Sequence, residues 1–81
     1  MDAIDDIRFK IIKLSFTTDE DRPNFRKKVK KLYGEIGNTQ LSYMWNNGIL
    51  AVSVWGIVSL TKKGLILEQE LRGKDSGRVG E

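Results

Sequence analysis

The stretch GIVSLTKKGLILEQEL, residues 56–71, decides how the rest of the chain is read. In one reading Thr61-Lys62-Lys63-Gly64 is a tight turn between two strands of a hairpin. In the other, Ile57 to Leu60 is a last strand, Thr61 caps a helix, and the helix runs to Leu71. As a strand, 65–71 would use mostly Leu, Glu and Gln, which are helix formers, with Ile66 the sole β-branched residue. As a helix, Leu67 and Leu71 stack at i and i+4, and Leu60 and Gly64 extend the same side. Glu68, Gln69 and Arg72 then point outward. Thr61 is a normal N-cap, Gly73 is a normal stop, and Gly64 lets the helix approach a neighbour closely. Capping, propensity and pattern agree on strand-to-helix.

Working backwards, ILAVSVWGIVSL (49–60) is rich in Ile, Val and Trp and extended in either reading. Two short strands are predicted, 49–54 and 57–60, turning at Val54-Trp55-Gly56. In NTQLSYMWNNG (38–48), Asn38 is a good cap. Leu41, Met44 and Trp45 take one helical face, while Thr39, Gln40, Ser42, Tyr43 and Asn46 take the other. A strand over 39–45 with an Asn47-Gly48 hairpin turn is the competing assignment. NFRKKVKKLYGEIG (24–37) is the clearest helix. Phe25, Val29, Leu32, Tyr33 and Ile36 form its apolar stripe, Thr18 or Asp21 caps it, and Pro23 suits its first turn. Gly34 weakens its last turn and Gly37 is the expected stop. Residues 2–14 place Ile4, Ile7, Ile11 and Leu14 on one helical stripe, with Asp2, Asp5 and Asp6 at the positive end of the dipole and Lys10 and Lys13 near the other. A bulged strand is the alternative, since Ile7, Phe9 and Ile11 alternate. The glycine-rich end, 73–81, has little apolar content and is expected to be a flexible tail.

The 81 residues suffice for one small domain, expected over 1–72. No apolar run reaches the roughly 18 residues needed to cross a bilayer. The acidic N-terminus does not resemble a signal or transit peptide, so a cytoplasmic location is expected, with no membrane partner. Cysteine and histidine are both absent. That removes disulfides, the usual zinc sites, thiol nucleophiles and the commonest general base. With no phosphate-binding glycine loop either, neither a catalyst nor a cofactor is expected. Net charge is +3, but its distribution says more. Arg22, Arg26, Lys27, Lys28, Lys30 and Lys31 fall within ten residues that contain no acid. Such a block is either a solvated helix face or a phosphate-contacting surface.

The string NNGILAVSVWGIVSLTKKGLILEQEL (46–71) resembles the C-terminal half of winged helix-turn-helix domains. The residues that carry the resemblance are Gly48-Ile49-Leu50, then Ile57-Val58-Ser59, then the Leu60-Thr61-Lys62-Lys63-Gly64 step into a final helix. The likeness covers roughly 22–72. It implies an α+β, mainly α fold of three or four helices with a two-stranded β-wing; a β-α-β-β-β sheet domain is the alternative. It further implies that Phe25 to Ile36 and Asn38 to Asn46 are the helix pair, the second entering the major groove of double-stranded DNA. Asn38, Thr39, Gln40, Ser42, Tyr43 and Asn46 would then face DNA, and Lys27, Lys28, Lys30 and Lys31, with Lys62 and Lys63, would contact phosphates. Trp55, at the wing tip, would be a further DNA contact. A DNA-binding transcriptional regulator acting as a homodimer is expected. Neither 38–46 nor 53–56 contains Arg or Lys, which keeps a second function open: a module that binds protein through Tyr43, Trp55 and the wing.

Overall fold

The computed structural model of the chain describes residues 2–79; Met1, Gly80 and Glu81 lie outside the described residues. Helix α1 spans Ala3–Thr17, α2 Arg22–Asn46 and α3 Lys62–Val79, with strands β1 (Leu50–Val52) and β2 (Val58–Leu60) before α3. The domain is therefore α+β and mainly α, as expected. The β-α-β-β-β alternative fails, because 39–45 and 65–71 are helical.

Helix α1 begins where Asp2 Oδ1 accepts the Asp5 amide at 2.7 Å, which satisfies one of the donors a helix start leaves free. It ends at Thr18, whose hydroxyl donates to the Leu14 carbonyl at 2.9 Å. The helix outruns the expected 2–14, so Lys10 and Lys13 lie inside it. The alternation of Ile7, Phe9 and Ile11 reflects a broad buried face. Phe9, Ile11 and Ile12 are buried together because α1 packs on α2, α3 and β2 at once. Ile4, expected in the stripe, is exposed.

Helix α2 starts at Asp21, which accepts the Asn24 amide at 2.9 Å, with Pro23 in the first turn. Its two limbs, 22–33 and 35–46, meet at Gly34, whose φ of 68° and ψ of −154° are not helical. That region of backbone space is nearly confined to glycine. The predicted break at Gly37 is thus displaced to Gly34. Gly37 is a buried helical residue, small because the Val29 backbone and the Tyr33 side chain press on it. Moving the break carries Ile36 onto the second limb, where it is exposed, and Leu32 is exposed as well. Asn38, expected as a cap, is inside the helix.

Asn47-Gly48 closes α2 rather than a hairpin. Gly48 has φ 69°, the Ile49 amide donates to the Met44 carbonyl at 2.9 Å, and the Gly48 amide to Trp45 at 3.3 Å. This is a Schellman closure, and its customary apolar contact is supplied by buried Ile49 and Met44. The chain then pairs antiparallel, Leu50 with Leu60, Ala51 with Ser59 and Val52 with Val58. The turn lies at 53–56, where the Gly56 amide donates to the Ser53 carbonyl at 2.9 Å and Gly56 has φ 79°. The outer edge of β2 is tied to the α1–α2 linker by the Val58 amide, which donates to the Glu20 carbonyl at 2.9 Å.

Thr61 caps α3 as predicted, accepting the Gly64 amide at 3.0 Å. Its own amide donates to the Ile49 carbonyl at 3.0 Å, and its hydroxyl points at the Gly48 and Ile49 carbonyls. Leu71 is buried and Leu67 half-buried, as the i, i+4 stack required. Glu68, expected to point outward, is instead buried and holds the Arg72 guanidinium on both oxygens, at 2.9 and 2.6 Å. Gly73 does not end the helix. The backbone stays helical through 73–79, so the expected flexible tail is helix as far as Val79, and its last two residues lie outside the described residues. Lys74 pairs with Asp5 at 2.8 Å, pinning this part of α3 to α1. That hydrogen bond, and then the Asp5 charge, raises the Lys74 ammonium above the ordinary lysine range. The core is completed by Phe25, Val29, Leu41, Met44, Leu50 and Val58.

Three glycine-to-alanine changes separate these roles in urea denaturation. Gly64→Ala drives a Cβ into the Ile49 carbonyl and the Leu60 side chain, and should cost about 1–3 kcal/mol through overpacking. Gly34→Ala meets no atom but should cost about 1–3 kcal/mol through backbone strain. Gly73→Ala, in open space within a helix, should stabilise by about 0.4–1 kcal/mol; a loss there would place the end of the helix at Gly73 after all. Thr61→Ala should cost about 1–2 kcal/mol through the lost cap.

Candidate nucleic-acid interface

The limbs of α2 lie side by side, joined by a row of cations. The Arg22 guanidinium stacks 4.5 Å from the centre of the Trp45 ring. Arg26 Nη1 donates to Asn38 Oδ1 at 2.6 Å and to Ser42 Oγ at 3.2 Å. Lys30 pairs with Glu35 at 3.3 Å. Residues 22, 26 and 30 form one stripe at the i, i+4 spacing, and they meet the second limb in reverse order, from 45 to 35. The limbs are therefore antiparallel neighbours with the basic stripe along their seam. Trp45 packs against the core as expected, but its Nε1 is buried with no hydrogen-bond partner among the described residues.

The second limb keeps one polar face uncovered. Glu35, Thr39, Tyr43 and Asn46 are exposed, and Asn38 and Ser42 are half-buried, held by Arg26. Gln40 departs from expectation. It is 8% exposed and turns inward, its Oε1 accepting Arg8 Nε at 2.7 Å. The reason is rotational: once the limb begins after Gly34, position 40 falls on the same side as Gly37, Leu41 and Met44, which are buried. Arg8 also lies 4.0 Å from the centre of the Tyr43 ring. This partner was not legible beforehand, since Arg8 and Gln40 are 32 positions apart.

The lysine block divides. Lys28 is turned to Glu20 at 3.2 Å, and Lys30 to Glu35. Lys27 and Lys31 are exposed and form no ion pair among the described residues. Lys62 and Lys63 are exposed in the first turn of α3. At the hairpin tip Val54 is 93% and Trp55 83% exposed. Within its own turn the Trp55 amide donates to Ser53 Oγ at 3.2 Å.

No protein-family model, curated protein or solved structure matches this chain. No helix among the described residues is long and apolar enough to cross a membrane.

The seam cations and the free lysines should separate in stability measurements. Arg26→Ala strips the donor from two half-buried side chains and should cost about 0.5–1.5 kcal/mol. Lys31→Ala should stay within about 0.5 kcal/mol of the parent. Equal midpoint shifts in urea would dismiss the seam.

Proposed function

We propose that this domain is a winged helix-turn-helix module that binds double-stranded DNA as a small cytoplasmic transcriptional regulator, acting by binding rather than catalysis and as a pair of copies. The observation that carries this reading is the uncovered polar face of the second limb running beside the basic first limb. Thr39, Ser42 and Asn46 are side chains able to bond base edges or phosphates. Lys27 and Lys31 supply unpaired charge on the neighbouring limb, with Lys62 and Lys63 further cations at the start of α3. The Lys30–Glu35 pair is solvent-exposed and so worth little, and a phosphate could take over that lysine, whereas Lys28 is held in a half-buried pair with Glu20. The Schellman closure, the β1–β2 hairpin and the Thr61-capped helix follow in the order the family likeness implies.

A second reading is favoured by the hairpin tip. Val54 and Trp55 put apolar surface where a DNA-binding wing would be expected to present cations, and Trp is enriched at protein-binding hot spots. In that case the domain recognises a protein through the tip and Tyr43, and the lysines keep it soluble.

Fluorescence anisotropy with a short duplex separates the two. If Lys27, Lys31, Lys62 and Lys63 contact phosphates, log affinity should fall with log salt at a slope of roughly −3 to −4 for each bound copy. Reversing Lys27 and Lys31 to Glu together should weaken binding by at least about tenfold, because both contacts become repulsions. Trp55→Ala should leave DNA affinity within about twofold, as no charge is removed. Absence of any complex at about 50 mM salt would end the DNA reading.

A further inference from the structure

Between α1, the second limb of α2 and the first turns of α3 lies a cleft of ≈ 200 Å³. Its apolar wall is Ile49, Ile66 and Leu67; Arg8, Lys63 and Glu70 supply charge around it. Arg8 is fixed there by two contacts, the Gln40 hydrogen bond at 2.7 Å and the stack on Tyr43 at 4.0 Å. Only Nε is used in the hydrogen bond, so both terminal nitrogens of the guanidinium are without an acceptor among the described residues. Lys63 and Glu70 likewise form no ion pair there. Opposite charges thus line one small cleft without meeting.

We propose that this cleft binds a free α-amino acid with an aliphatic side chain. Its carboxylate would take the Arg8 terminal nitrogens and Lys63 in charge-assisted hydrogen bonds. Its ammonium would take Glu70, and its side chain would cover Ile49, Ile66 and Leu67. A purely anionic ligand would face Glu70 unpaired, a purely cationic one would face Arg8 and Lys63, and a neutral one would use none of the three. The zwitterion is the class that satisfies every charge. The size agrees, since a cavity of about 150 Å³ holds benzene. Apolar walls with a few convergent polar groups are the usual make-up of a small-molecule site.

The test uses the full chain without DNA, so it stands or falls apart from the function proposed above. L-leucine is titrated by calorimetry and by amide chemical shifts. Saturable binding with a Kd of about a millimolar is expected, as befits so small a ligand, with the shifts centred on Tyr43, Ile49 and Ile66. Two analogues each lack one charge: 4-methylpentanoate has no ammonium and 3-methylbutylamine no carboxylate. Each should bind at least about tenfold more weakly, for the loss of a charged partner. Lys63 and Glu70 are exposed, so Lys63→Ala and Glu70→Gln should keep the fold, as circular dichroism will show. The first should weaken leucine several-fold. The second should erase the preference for leucine over 4-methylpentanoate. Binding of 4-methylpentanoate as tight as that of leucine, shifts centred elsewhere, or no saturation by about 20 mM would each overturn the proposal.

Discussion

The Ile49 carbonyl is the point on which the two halves of the chain are locked together. It accepts the Thr61 amide, faces the Thr61 hydroxyl and lies against the bare Cα of Gly64. Ile49 is also the residue whose amide closes α2 onto Met44. One peptide neighbourhood therefore ends one helix, starts the pairing of β1 with β2 and seats the N-terminus of another helix. Buried backbone polar groups are nearly always paired, and here the amide and carbonyl of one residue serve three elements. The hairpin is short, three residues a side, and a two-stranded ribbon is marginal by itself. Its geometry is inherited from this lock and from the Glu20–Val58 bond at its other edge.

Positive charge is divided between architecture and surface. Arg22, Arg26 and Lys30 are engaged along the seam of α2, and Arg8 is engaged on Gln40 and Tyr43. Arginine suits the inner positions because its planar fork stacks on aromatic rings and bonds in fixed directions, whereas lysine is a compact, strongly hydrated charge. The guanidinium groups at 8, 22 and 26 fasten elements together, as do the ammonium groups of Lys30 and Lys74, while those of Lys27 and Lys31 face solvent with no ion pair among the described residues. A count of cations by sequence window merges these two populations.

Most of the fold was legible in the residues and the site less so. The Thr61 cap, the Asn47-Gly48 closure and the Val54-Trp55-Gly56 turn are local devices, each specified by neighbours within a few positions. The Leu67/Leu71 stack was legible for the same reason. The errors cluster where local signals compete. Gly34 and Gly37 are both plausible breaks; Gly37 stays helical and packed against Tyr33 and Val29, contacts that spacing cannot register, and the break falls at Gly34. That displacement shifts the rotational phase of everything after it, which is why Gln40 turned inward and Ile36 outward. Glu68 was misplaced because its buried position is made tolerable by Arg72, a pairing that pattern alone treats as two exposed charges. Arg8 was missed because nothing within its own helix points to Gln40.

The two tryptophans occupy opposite surroundings, and this has an optical consequence. Trp45 lies under the α2 seam with its indole nitrogen buried and without an acceptor among the described residues, while Trp55 stands almost wholly in solvent. Indole emission shifts to longer wavelength as its surroundings become more polar and mobile, so the native spectrum is a composite of a blue and a red component. An added quencher would reach the red component first. Opening of the limbs would move the blue component alone, and an encounter at the hairpin tip would move the red one. The molecule thus carries two separate gauges, one for its interior and one for its most exposed corner.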